Sequence, residues 1–357
     1  MPQAGGDLRL RGLAAIARDL SGATEFDAII ELAADGALDP LNAASVSISR
    51  LEPGTGTIRT LLNTGHLGPA EERWPGDELY LVDNFVVGSI WAGMAESFAV
   101  GQLRIIVASV DDPSADPEEI KLLRSLYKAS SISAPLIVDG KLWGEFYATR
   151  ETGAAFGPDD EAFAEAFSAI LSGAISRTIR VDSLMRMAYL DPLTGLANRR
   201  ALDEAATVAF HPAASTSGRP ITAVTFDVNK LKEVNDSAGH GAGDRLLTQV
   251  GALLQMHYAD LHGSLVARVG GDEFTVLVPL HDPSAVMAAA ENACLAAKEL
   301  PNGAGLSCGV ATTTARGTEA ARFLFKAADV AQYEAKRTER TGPVAAMHPY
   351  SHPAFTC

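Results

Sequence analysis

Two short apolar runs, residues 265–269 and 274–280, flank the string Gly270-Gly271-Asp272-Glu273. Paired glycines tolerate the positive φ of a tight turn, so the stretch predicts a β-hairpin whose tip carries two adjacent carboxylates. Like charges side by side repel, and turning the chain does not require them. One reading is a divalent-metal site, because hard cations take carboxylate oxygens. The other is a solvated acidic turn.

A second stretch separates these readings. The apolar run 221–226 ends on Asp227 and continues as Val228-Asn229-Lys230-Leu231-Lys232-Glu233-Val234-Asn235-Asp236-Ser237-Ala238-Gly239-His240-Gly241-Ala242-Gly243-Asp244. Together with Asp191-Pro192-Leu193-Thr194-Gly195-Leu196, Asn198-Arg199-Arg200, Ser307-Cys308-Gly309-Val310-Ala311 and the segment from Ala328-Asp329 through Lys336 to Arg340, these blocks resemble the GGDEF family of bacterial diguanylate cyclases over residues 190–340. The blocks fall in the family's order, which a chance match of one motif does not explain.

The resemblance implies an α+β catalytic domain like the nucleotide cyclase and polymerase palm, with helices around a mainly antiparallel sheet. It also implies the chemistry. Each subunit of a homodimer binds one GTP, each 3′-hydroxyl attacks the other's α-phosphate, and two pyrophosphates leave cyclic di-GMP. Carried over residue by residue, Asp227 and Asp272 are metal ligands, Val228 lends its carbonyl, and Glu273 is a further ligand for Mg2+, two ions per half-site. Asp272 is also the general base, and Lys232 neutralises phosphate charge in the transition state. Gly270 and Gly271 let the backbone approach the phosphates. Lys336 and Arg340, four apart on the last helix, are expected to point the same way toward phosphate. Asn235, His240 and Asp244 are assigned to the base or ribose, since guanine offers an acceptor at O6 and donors at N1 and N2. His240 has an alternative as a helix cap, and Arg268 is expected to brace the hairpin.

The chain departs from the family string at Asn229, Leu231 and Glu339, where Asp, Phe and Gly are commoner. An Arg-x-x-Asp product-inhibition motif, expected to end five residues before the signature, is replaced by Leu261-His262-Gly263-Ser264. No product-inhibition site is therefore expected.

Ahead of this region, Leu8, Leu13, Ile16 and Leu20 recur at helical spacing, and a second helix reads through Phe26, Ile29, Ile30 and Ala33. Val46 and Ile48 alternate with serines, Pro53-Gly54-Thr55-Gly56 reads as a turn, and Asp139-Gly140 joins two strands of a hairpin. This layout, with the string Pro135-Leu136-Ile137-Val138-Asp139-Gly140-Lys141-Leu142-Trp143-Gly144, resembles a GAF sensor domain. Its signal is unidentified: no cysteine lies in this half, and its one histidine, His66, sits in a polar stretch and reads as surface. Pro158-Asp159-Asp160 opens a long helix, with the acids where the helix dipole favours them. Phe163, Phe167, Ile170, Ala174, Val181, Leu184 and Ala188 recur at spacings of three and four, broken once at Arg177. That predicts a parallel connector in a dimer, or else a helix packed on its own domain.

The expected division is a helix at 1–20, a GAF-like domain at 21–157, a connecting helix at 158–189, the GGDEF domain at 190–345 and a tail at 346–357. A net charge of −15 argues against nucleic-acid binding. No apolar run has the length of a membrane span and no basic-then-apolar leader opens the chain. Three cysteines offer no framework of pairs, which suits the cytoplasm. The alternative to a cyclase is an inactive GGDEF module that binds GTP or a partner. The intact signature, Asp227 and Lys232 speak against it, and Asp244 speaks against a product containing adenine.

Overall fold

The computed structural model describes residues 3–52, 57–68, 71–76, 79–81, 105–211, 218–303 and 305–346. The expected turn at 53–56 and the tail from 347 onward, with Cys357, lie outside the described residues. The chain divides into two compact units, Met1–Asp182 and Ser183–Cys357.

Among the described residues of the first unit, helices α1 (Gln3–Gly22), α2 (Phe26–Leu41), α3 (Pro117–Ser125) and the start of α4 (Pro158–Tyr189) accompany six strands. These are β1 (Ser45–Glu52), β2 (Thr57–Gly65), β3 (Leu79–Leu81), β4 (Ile106–Ser109), β5 (Ser130–Val138) and β6 (Lys141–Arg150), in sheet order β3-β2-β1-β6-β5-β4. The pairings are all antiparallel. Period-2 alternation sends Val46, Ile48, Ile132, Ala134, Phe146 and Ala148 into one core with Ile16 and Leu20 of α1 and Ile29, Ile30 and Ala33 of α2. Leu8, the first residue of the expected α1 stripe, is 54% exposed.

The long helix has the bounds expected from its sequence, but its apolar seam splits. Phe163, Phe167 and Ala174 are buried in the first unit's core and Ile170 packs against it, whereas Val181 and Leu184 are exposed. The sheet has claimed the first half of the stripe, with Phe167 stacked on Phe163 and tilted against Phe146 of β6. A second copy cannot use those positions.

The second unit contains α5 (Arg199–Ala209), β7 (Ile221–Val228), α6 (Leu231–Ala238), α7 (His240–Tyr258), β8 (Leu265–Arg268), β9 (Glu273–Pro279), α8 (Pro283–Lys298), β10 (Leu306–Thr313), α9 (Thr318–Arg337) and β11 (Val344–Ala345). The sheet order is β11-β10-β7-β9-β8, antiparallel except for the parallel β10–β11 edge. Every residue of β7 is buried, as a central strand covered on both faces requires. Val224, Phe226 and Val228 join the core of α7 and α8, and Ile221 and Ala223 join the core of α5 and α9. Asp227 has the parity of Ile221 and Ala223, so it projects toward α9.

Candidate active site

Asp227 lies at the carboxyl end of β7, where its side chain is only 10% exposed. Lys336, from the last turn of α9, places Nζ 2.7 and 2.8 Å from the two Asp227 oxygens. One strand step back, Thr225 donates to Asp329 of α9 at 3.0 Å. Helix and strand are thus joined along their length, and the sequence places these four residues with the same parity on β7 and two helical turns apart on α9. Burial pushes the Asp227 carboxyl above its ordinary range, the Lys336 ammonium opposes that, and the negative charge of Asp272 adds to it. The two aspartates therefore lie within electrostatic reach of each other.

The signature forms the expected hairpin between β8 and β9. The Val228 N–H donates to the Asp272 carbonyl at 2.9 Å, tying the turn to the end of β7. Glu273 stands opposite Asp227 in the strand register. A Cβ on Gly270 would meet Glu273 Oε2 at 2.8 Å, so the glycine leaves room for that carboxylate. Arg268 braces the turn as expected. Its Nη2 donates to the Gly271 carbonyl at 2.7 Å and its Nη1 to Asp191 at 3.0 Å. Asp191 also accepts from the Thr194 N–H and hydroxyl. Burial raises the Asp191 carboxyl, but the Thr194 bonds and the Arg268 charge outweigh it and hold the group below its ordinary value. Asn198 caps both neighbours of this turn, donating to the Ala188 carbonyl and accepting from Ala201 N–H. The sequence blocks containing Asp191 and Asn198 carried no assigned role, and their Asp-x-x-Thr spacing was the available signal.

Asn235, His240 and Asp244 gather around the Gly239 turn between α6 and α7. Asn235 lies on α6, and His240 and Asp244 are one turn apart on the exposed face of α7. A Cβ on Gly243 would sit 2.0 Å from Asn235 Oδ1, so the Asn235 amide packs directly on the α7 backbone. That oxygen is buried and has no hydrogen-bond partner within the protein. His240 is the first residue of α7 and makes no side-chain cap; Gly239 occupies the cap position. Lys232 is exposed on the first turn of α6. Of the family departures, Asn229 accepts from the Ser307 hydroxyl at 2.7 Å, and Leu231 packs against the core. Leu261 also packs against that core, and the Ser264 hydroxyl donates to the Tyr258 carbonyl.

One expectation needs correction. Lys336 and Arg340 do not share a helix face, because α9 ends at Arg337. Glu339 adopts φ 50°, the Arg340 N–H reaches back to the Ala335 carbonyl, and the Glu339 N–H to Lys336. This is a Schellman termination, with Glu339 at the left-handed position that glycine fills most easily. The helical i,i+4 argument fails because the helix stops three residues before Arg340.

The site is an acidic strand end joined to a glycine hairpin, with a cation from the neighbouring helix already on the acid. The donor set suits a hard divalent cation: the Asp227 and Asp272 carboxylates meet in one electrostatic field that accepts an ammonium. Among the described residues, no three His, Cys, Asp or Glu side chains converge as a ready-made metal cage. This fold and site define a nucleotide-cyclase-like domain of the GGDEF class. Residues 188–342 match the family described as diguanylate cyclase, GGDEF domain, and residues 13–175 match the GAF domain. The chain belongs to the GGDEF family and carries a GAF domain ahead of the GGDEF domain. It is 40% identical over 216 residues to the uncharacterized protein in the hutH 5′ region of Streptomyces griseus, covering 59% of this chain and 88% of that one. It is 28% identical to the diguanylate cyclase DgcP of Escherichia coli, over 64% of this chain and 70% of that protein. The coiled coil and GGDEF domain of DgcB from Caulobacter crescentus, solved in complex with c-di-GMP, aligns at 26% identity over 51% of this chain and 98% of that chain, with TM-score 0.44.

The GAF unit has a polar sheet face opposite its apolar core. There Ser133 donates to Glu145, while Ser131 and Tyr147 donate to Glu119. Both glutamates are 6% exposed. Burial raises the Glu145 carboxyl to about 8, with Ser133 opposing and Glu119 adding. His66 is a surface residue, its side chain 79% exposed beside Glu151. Among the described residues, no helix is long and apolar enough to cross a membrane.

Proposed function

We infer that this chain is a diguanylate cyclase that condenses two GTP into cyclic di-GMP and is regulated through its GAF domain. The observation that carries the reading is the convergence of Asp227, Asp272 and Lys336 at the end of β7. Asp227, the Val228 carbonyl, Asp272 and Glu273 would hold Mg2+, which when bound supplies positive charge to the phosphates. Asp272 takes the proton of the attacking 3′-hydroxyl. Lys232 and Arg340 meet phosphate charge, and Lys336 joins them on leaving Asp227. The unpaired Asn235 amide, with Asp244 and His240 beside it, reads the guanine or ribose. Gly270 and Gly271 keep the hairpin tip narrow where phosphates approach.

Two half-sites must face each other, so the working form is a homodimer. With Leu261 packed against the core and Ser264 bonded to Tyr258, the domain lacks the arginine and aspartate that would grip product, and control falls to the GAF domain. The test is to incubate purified protein with GTP and Mg2+ and identify the product by mass spectrometry, with Asp272→Ala as the comparison. Cyclic di-GMP from the native chain and none from the variant is the expected result. GTP binding without turnover would favour the inactive, GTP-binding module.

A further inference from the structure

We propose that the groove between α4 and the β5–β6 hairpin of the GAF unit binds a small organic cation, an ammonium carried on an apolar body. The groove has a volume of about 920 Å³, within the range of small-molecule sites. It lies wholly within the first unit, so its ligand does not depend on the chemistry of the second.

Ser168 shows that the groove lacks a polar partner. It lines the groove at 6% exposure, yet its hydroxyl makes no hydrogen bond within the protein. A buried hydroxyl can both donate and accept, and leaving it with neither bond is costly. The walls formed by Ile105, Pro135, Ile137 and Ala169 carry no polar side-chain atom. A molecule in the groove can supply the missing partner while its apolar part covers those walls. The groove is also pre-formed. The Ile137 N–H donates to Ser172, and Ser176 and Arg180 both donate to Asp139 at the hairpin tip.

Charge decides which molecule fits. Glu161 and Glu165 line the same groove, and among the described residues neither carboxylate has a hydrogen bond or an ion pair. Side chains four apart on a helix face the same way, so one ammonium with its three N–H donors can meet both. Arg180 is the one basic residue among the described lining, and Asp139 already holds it. An anionic ligand would meet two glutamates with no free cation to offset them, and a neutral one would leave them unused. Glu165 and Ser168 are three residues apart on α4, so a ligand whose ammonium sits at the acidic rim places its body beside Ser168.

Three probes share one indole body and differ in charge: tryptamine, its neutral alcohol tryptophol, and the anion indole-3-acetate. Calorimetry on the full-length chain should rank them in that order. Tryptamine should bind about fivefold tighter than tryptophol, as expected for an ammonium on exposed carboxylates. Glu161→Gln combined with Glu165→Gln should bring tryptamine to the level of tryptophol and leave tryptophol unchanged. Ser168→Ala should weaken both by about fivefold, the effect of one hydrogen bond. Ala169→Trp, at an exposed position of the helix, should fill the groove and abolish binding of both. Absence of tryptamine binding at millimolar concentration overturns the proposal, and so does equal binding of all three probes. Tryptamine binding that survives the paired glutamine changes also overturns it, because the chain's net charge of −15 then attracts the cation without this groove. If Ala169→Trp misfolds, the glutamine and Ser168→Ala variants decide alone. Turnover of GTP on the same samples bears only on the cyclase reading, since none of these variants touches the second unit.

Discussion

Lys336 Nζ bridges both carboxylate oxygens of Asp227, at 2.7 and 2.8 Å. The family resemblance gives these residues different partners, phosphate for the lysine and metal for the aspartate. In the structure they satisfy each other. A largely buried carboxylate without a cation would be costly, and the Lys336 ammonium supplies that cation.

Lys336→Gln should therefore have two opposite effects. Metal binding without nucleotide should tighten by about tenfold, since the metal no longer displaces an ammonium. Turnover should fall by about 100-fold, the usual cost of losing one charged contact to a transition state. Mn2+ titration followed by electron paramagnetic resonance, beside initial rates, checks both. Weaker Mn2+ binding in the variant would show that Lys336 supports the site and does not compete for it.

Arg268→Ala should separate hairpin order from chemistry. It strips the Gly271 carbonyl of its Nη2 donor and leaves Asp191 only its Thr194 donors, so the second unit should lose about 1–3 kcal/mol. Turnover should fall about tenfold through a loosened tip, with little change in KM. Asp272→Ala should instead abolish turnover with little loss of stability. Denaturant melts and steady-state rates on the two variants give the comparison, and equal stabilities would remove the bracing role.

Glu339→Gly should stabilise the second unit by about 0.5–1 kcal/mol, because glycine takes the left-handed conformation without a Cβ penalty. Glu339→Ala should give no such gain. If alanine stabilises as much as glycine, the side chain and not the φ angle is the source.

The buried Glu145 makes GAF stability pH-dependent. Its folded value is raised from 4.5 to about 8, so the folded unit holds a proton that the unfolded chain releases. The associated stability is fully present below the ordinary carboxylate value and is lost as pH rises toward 8. The loss is at most about 4–5 kcal/mol. Glu145→Gln should flatten the melting profile between these limits, and a native profile already flat would place the carboxylate in contact with water.

Local signals carried much of this protein. The hairpin at Gly270-Gly271, the strand ending on Asp227 and the long helix from Pro158 are written in runs, turns and periods a few residues long. Local physics decides such elements, so the sequence alone determined them. It also determined the family, since ordered blocks survive whatever the packing.

Distant parts of the chain settled the rest. The stripe from Phe163 to Ala174 has the spacing of a helix-pairing seam, and whether a sheet or another helix buries it depends on which apolar surface reaches it first. The strand carrying Phe146 does. The brace from Asp191 through Arg268 to Gly271 joins residues far apart in sequence, and neither end signals the other. Lys336 and Arg340 looked like helical neighbours because a pattern of i and i+4 does not show where a helix stops. Only the left-handed turn at Glu339 ends it, and only the packing of α9 along β7 sets Lys336 on Asp227.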